Sequence, residues 1–159
     1  MEETGRPKRP TGLSKALFRA PTHLYRWNLG WLMGRRFLML SHIGRRSGLV
    51  RRTVVEVVDR DAPQGTYTVC SGFGPRSDWY RNLLAEPKAV IQVGVKRMRV
   101  TARPLRAEEG AEAMARYAHR HARSARALAG FMGFRVDGSE ADFREAGRRL
   151  PFVRFEPRR

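Results

Sequence analysis

Apolar and polar residues alternate along much of this chain, and the period of the alternation changes along it. Runs with a period of two predict strands at about 36–43, 50–59, 66–71, 89–94, 97–104 and 151–156. In the second run Thr53, Val55 and Val57 fall on one face, and Arg52, Val54, Glu56 and Val58 fall on the other. In the fifth, Met98, Val100 and Ala102 point inward while Arg97 and Arg99 face water. Asp61 to Gly65 reads as a turn. Helical spacing is expected over Ser14–Met33, broken near Pro21, and over Asp78–Ala85, stopped by Pro87. It is expected again over Glu108–Ala129, with acids at its start and arginines toward its end as the helix dipole favours, and over 139–149. About six mostly antiparallel strands with a few helices predict an α+β, mainly β fold: a small barrel with helices on its outside.

The second and first strands are joined by Ile43–Thr53, IGRRSGLVRRT. Gly44 and Gly48 can adopt backbone angles that other residues resist, so a β-hairpin is expected, with guanidinium groups at its tip and rim. Two readings are open. The charges can blunt a sheet edge in solvent. Alternatively, the arginine forks can grip phosphate or carboxylate oxygens two at a time.

Composition favours an anionic ligand without naming one. The 159 residues suffice for one core, read as a basic flexible tail over 1–12 and a single domain over 13–159. Hydrophobic content of 42% argues against wholesale disorder. The formal charge is +17, almost all of it arginine, since lysine stands only at Lys8, Lys15, Lys88 and Lys96. That balance suits a phosphorylated or polycarboxylate ligand, nucleic acid, or an acidic lipid surface. No nucleic-acid motif is present, so no specific nucleic-acid partner is expected. The basic, aromatic helix Ser14–Met33 could pack on the domain or make peripheral membrane contact. The apolar stretch Trp27–Leu40 is interrupted by Arg35 and Arg36 and is too short to span a bilayer. The polar, proline-rich start predicts no secretory signal, and the lone Cys70 forms no internal disulfide; both fit the cytoplasm.

The third strand ends in Cys70-Ser71-Gly72-Phe73-Gly74-Pro75, just before the helix that starts at Asp78. A glycine-rich strand exit before a helix can aim backbone N–H groups at a ligand. Trp79 and Asn82 lie three apart on that helix, so they share a face and could bracket a flat heterocycle; equally, Trp79 could be core and Asn82 a loop tie. Sets for acid–base or nucleophilic catalysis are missing. His119 and His121 diverge on a helix, His23 and His42 lack partners, and Cys70 reads as core. A cradle with few proton-transfer groups suggests that a cofactor does the chemistry.

Leu38–Gly48 (LMLSHIGRRSG), with Arg51 and Thr53, then Cys70–Gly74 and Asp78–Pro87 (DWYRNLLAEP), together resemble the deazaflavin (F420)-dependent nitroreductase family. The likeness is best over about 30–104. It implies an FMN-binding-like split β-barrel and an oxidoreductase that uses coenzyme F420, an 8-hydroxy-5-deazaflavin with a phosphate and an oligoglutamate tail. By resemblance, Arg45, Arg46, Ser47, Arg51 and Thr53 would hold the anionic tail. Ser71, Gly72, Phe73, Gly74, Trp79 and Asn82 would hold the ring, and Ser71 could hydrogen-bond ring or acceptor. Gly72 stands where some members carry lysine, which would exchange a positive contact for an apolar one at Phe73. Tyr25, Trp31 and Tyr117 are candidates for the substrate wall. The expected activity is hydride transfer to a small electron-poor acceptor (a quinone, activated alkene or nitro compound), by a monomer or homodimer. The rivals are an FMN or haem barrel, a deazaflavin carrier without turnover, and a non-enzymatic polyanion binder.

Overall fold

The computed structural model describes residues 2–3, 36–71, 74–131 and 133–158. The expected helix Ser14–Met33 and most of the tail over 1–12 lie outside them. In chain order the elements are β1 (Glu2–Glu3), β2 (Phe37–Ile43), β3 (Val50–Asp61), β4 (Thr66–Cys70) and a 3-10 turn, Gly74–Arg76. Then come α1 (Asp78–Ala85), β5 (Lys88–Val93), β6 (Lys96–Pro104), α2 (Ala107–Arg120) and α3 (Ala122–Phe131). The last are β7 (Phe134–Arg135), α4 (Glu140–Arg149) and β8 (Phe152–Pro157).

Six strands close a barrel in the order β2-β3-β4-β8-β6-β5, every pairing antiparallel. Closure satisfies the edges that an open sheet would expose. Period-two patterning fills the inside: Leu38, Leu40, Val69, Ile91, Val100 and Phe155 are fully buried there. Val100 and Ala102 point inward and Arg97 and Arg99 outward, as their alternation requires.

β3 serves two cores. Its inward row carries Val55 and Val57 into the barrel. Its register shifts between Val57 and Asp59, and the extra residue, Val58, packs on the helix side instead. There α2, α3 and α4 cover Cys70 and Phe152 with Met114, Tyr117 and Phe143. α2 and α4 cross with almost no gap. A Cβ on Gly110 would lie 2.5 Å from the Gly147 carbonyl oxygen, and one on Gly147 would meet the Gly110 oxygen more closely still.

Two sequence expectations change. The single helix over Glu108–Ala129 is two helices, broken at His121, whose backbone is at φ −140, ψ 67. The break lets Ala125 and Ala129 of α3 bury against the core that already holds Tyr117. Glu2–Glu3, expected in the loose tail, pairs antiparallel with β7, Glu2 opposite Arg135.

Candidate functional site

Ile43 pairs with Val50, so residues 44–49 form the β2–β3 turn. The Gly44 N–H donates to the Leu49 carbonyl at 2.8 Å, and the Gly48 N–H to the Gly44 carbonyl at 2.8 Å. Gly48 sits at φ +71, where a side chain is strained. At Gly44 space is the constraint: a Cβ would be 2.6 Å from Ser47 Oγ, which itself accepts from the Leu49 N–H at 3.2 Å. The turn therefore needs small residues at its base, and it presents Arg46 and Ser47 to solvent.

Pairing decides where the remaining arginines go. Arg51 lies opposite His42 and Thr53 opposite the buried Leu40, so both belong to the inward-facing row at the barrel rim. Arg52 lies opposite Ser41 on the outer face. Among the described residues no carboxylate pairs with Arg46, Arg51 or Arg52, which leaves them available to an external anion.

Arg45 is different. Its backbone N–H donates to Asn82 Oδ1 at 3.1 Å, and its guanidinium donates to the same oxygen at 2.8 Å. The other guanidinium nitrogen reaches Asp78 at 3.3 Å. Asn82 is only 4% exposed, and its Nδ2 lies 3.0 Å from His42 Nδ1. His42 is buried as well; burial, with the positive charge of Arg51, pushes its pKa down from 6.5 to about 4, against a smaller opposing pull from Asp78. The basic turn and α1 are thus bolted together at one corner of the barrel. Sequence reasoning gave His42 no partner, because the residue that holds it stands 40 positions away. The one available signal was that His42 falls on the apolar, inward row of β2.

Beyond β4, Ser71, Gly74 and Ser77 are tied to one another. Ser71 is fully buried; its hydroxyl donates to the Gly74 carbonyl at 2.6 Å and accepts from Ser77 Oγ at 2.6 Å. The N–H groups of Gly74 and Ser77 bond to the Ser71 and Gly74 carbonyls, so neither of these two is aimed at a ligand. Ser71 shapes the loop and has no free proton to offer. Gly74, at φ +77, makes the reversal. Gly72 and Phe73 lie outside the described residues. Trp79 is 9% exposed and belongs to the barrel core with Leu38 and Val55, so little of it is left to bracket a ring.

Of the substrate-wall candidates, Tyr25 and Trp31 lie outside the described residues. Tyr117 is buried on the helix side, and its hydroxyl donates to Glu56 at 2.6 Å. Burial and that carboxylate push the Tyr117 pKa up, which suits a latch between α2 and β3 rather than a wall. The buried Cys70 thiol is likewise pushed up by burial. Two cavities, of about 420 and 400 Å³, lie elsewhere, one beside Arg126 and Phe134 and one beside Arg116 and Glu140. Among the described residues no helix is long and apolar enough to cross a membrane.

A sequence model described as F420H(2)-dependent quinone reductase matches residues 17–129. No curated protein matches the chain. Among solved structures, one described as an F420-H2 dependent reductase is 21% identical, covering 77% of this chain and 96% of its own, with a TM-score of 0.53. Another, described as a domain-swapped dimer, is 20% identical over 86% of this chain and 100% of its own, TM-score 0.53. A heme binding protein from Mycobacterium smegmatis is 14% identical over 96% of this chain and 53% of its own, TM-score 0.53. At these identities the structural likenesses establish the split-barrel fold.

Proposed function

This chain belongs to the F420H(2)-dependent quinone reductase family, and from that premise we propose that it reduces a quinone or a similarly electron-poor small molecule at the corner where the β2–β3 turn meets α1. It is an oxidoreductase, and its coenzyme is F420. The observation that carries the placement is the Arg45–Asn82 tie, which brings the two sequence motifs into one site.

The donor chemistry fits the coenzyme. Arg46 and Arg51, unpaired by any described carboxylate, with Ser47 and Thr53 beside them, would hold the phosphate and glutamate arm. Arg45 contributes by anchoring the turn, since its guanidinium is already committed to Asn82 and Asp78. Ser71, Gly72, Phe73, Gly74, Trp79 and Asn82 would flank the ring. When bound, the reduced deazaflavin supplies a hydride from its C5 carbon. The chain's own share is binding and orientation: charges on one side of the corner, and Ser71, Gly74 and Ser77, tied by hydrogen bonds, on the other.

The test is to titrate the purified chain with coenzyme F420 and follow quenching of the coenzyme's fluorescence. The bound reduced form is then oxidised with quinones, enones and nitroaromatics. Saturable binding followed by oxidation with a quinone supports the proposal; no binding in the micromolar range refutes it. The absorbance spectrum of the protein as purified separates bound FMN or haem from this reading. Steeply salt-dependent DNA retention without coenzyme binding would favour a polyanion binder. Gel filtration distinguishes monomer from homodimer.

A further inference from the structure

We infer that His42 is a positioning residue for the coenzyme site: as a neutral imidazole protonated on Nε2, it fixes which end of the Asn82 amide faces the β2–β3 turn. The inference rests on the coenzyme reading above and extends it to a residue that contacts the site only through another.

The hydrogen-bond inventory leaves one arrangement. Asn82 Oδ1 receives two donors from Arg45, its backbone N–H at 3.1 Å and its guanidinium at 2.8 Å. Reversing the amide would set an NH2 group against both donors and leave three donors unpaired in a part-buried place. Asn82 Nδ2 must therefore point at His42 Nδ1, 3.0 Å away, and donate to it. That nitrogen can accept only if it carries no proton, so the ring proton sits on Nε2. An imidazolium would put two donors face to face.

The charged surroundings agree. Arg51 on β3, directly opposite His42, opposes a second positive charge; Asp78 on α1 favours one, but it is solvent-exposed and already paired with Arg45. The result is a strut running from β2 through α1 to the turn: His42, Asn82, Arg45. It ties the β2–β3 turn to α1, and so would fix the spacing between the arm-binding turn and Asn82. It also turns Arg45 inward, leaving Arg46 and Arg51 as the cations that meet the ligand.

The experiment has two arms. Nitrogen-15 NMR of the histidines in the coenzyme-free full chain at neutral pH should show His42 as the Nε2–H tautomer with an accepting Nδ1. In Asn82→Asp the new carboxylate has no proton to donate, so the His42 signals should change to a protonated Nδ1. An imidazolium or an Nδ1–H tautomer in the unsubstituted chain would overturn the inference, whatever the coenzyme does. In the second arm, F420 affinity is compared for the unsubstituted chain, His42→Leu and His42→Gln. Leucine fills similar space without an acceptor and should weaken binding about tenfold. Glutamine can present its carbonyl oxygen to Asn82 and should restore most of the affinity. Equal affinity in all three overturns the positioning role. Absence of binding by the unsubstituted chain overturns the coenzyme reading instead, and the role toward the coenzyme with it. The NMR arm still reports whether the strut exists, including where a variant fails to fold.

Discussion

Acidification should remove stability through His42, and the amount follows from its surroundings. The folded chain holds this imidazole at a pKa of about 4, against 6.5 for the free side chain, because it is 4% exposed and faces Arg51. Between those values the unfolded chain binds a proton that the folded chain refuses. The contribution is therefore fully present above pH 6.5, falls as pH drops toward 4, and is flat below. At about 1.4 kcal/mol per pKa unit the full traverse is about 3 kcal/mol, and about 2 kcal/mol of it has gone by about pH 5. Urea unfolding followed by tryptophan fluorescence, at about pH 7.5 and about pH 5, measures the loss. Carboxylates and other histidines titrate too, so the informative quantity is the difference between the unsubstituted chain and His42→Gln, which has nothing to protonate at that position. The chain should lose about 2 kcal/mol more than the variant. Equal losses, or a gain in stability on acidification, would refute the buried, neutral imidazole.

Three other substitutions probe separate parts of the structure. Replacing Arg46 and Arg51 together by alanine removes two exposed cations, each contributing roughly 0.5–1 kcal/mol to an anionic arm, so F420 binding should weaken about fivefold to thirtyfold and become less salt-sensitive. An unchanged dissociation constant would refute the arm assignment. Gly147→Ala drives a Cβ into the Gly110 carbonyl and to 2.7 Å from Met114 Cβ, so it should destabilise the chain by about 2–3 kcal/mol in thermal melts by circular dichroism. A melt like that of the unsubstituted chain would contradict the close α2–α4 crossing. Tyr117→Phe removes the 2.6 Å donation to Glu56 while Arg36, at 3.2 Å, still pairs with that carboxylate; urea unfolding should show a loss of about 1–2 kcal/mol, and no loss would mean the latch carries no load.

The elements that sequence reading found are those whose signal is local. Strands at 36–43, 50–59 and 97–104 and the helix Asp78–Ala85 follow from side-chain alternation and from glycine and proline, which act on the backbone within a few residues. The same holds for the turn built on Gly44 and Gly48, whose small size and free φ are needed where they stand. The helix break at His121 was not legible. Helical periodicity continues through that position, and only the need to bury Ala125 and Ala129 beside Tyr117 redirects the chain. Trp79 showed the same limit: its spacing to Asn82 was readable, but which of the two would enter the barrel was not.

By itself, then, the chain determined its strands, its α1 helix and two motifs whose side chains suit an anionic arm and a flat ring, because backbone sterics and amphipathic period are written into neighbouring residues. Tertiary structure alone decided that β8 inserts between β4 and β6 to close the barrel, that Gly110 meets Gly147, and that His42, Asn82 and Arg45 form one strut. Those contacts join residues 37 to more than 80 positions apart. No local pattern encodes them: they exist only once barrel closure has fixed which buried donor can reach which buried acceptor.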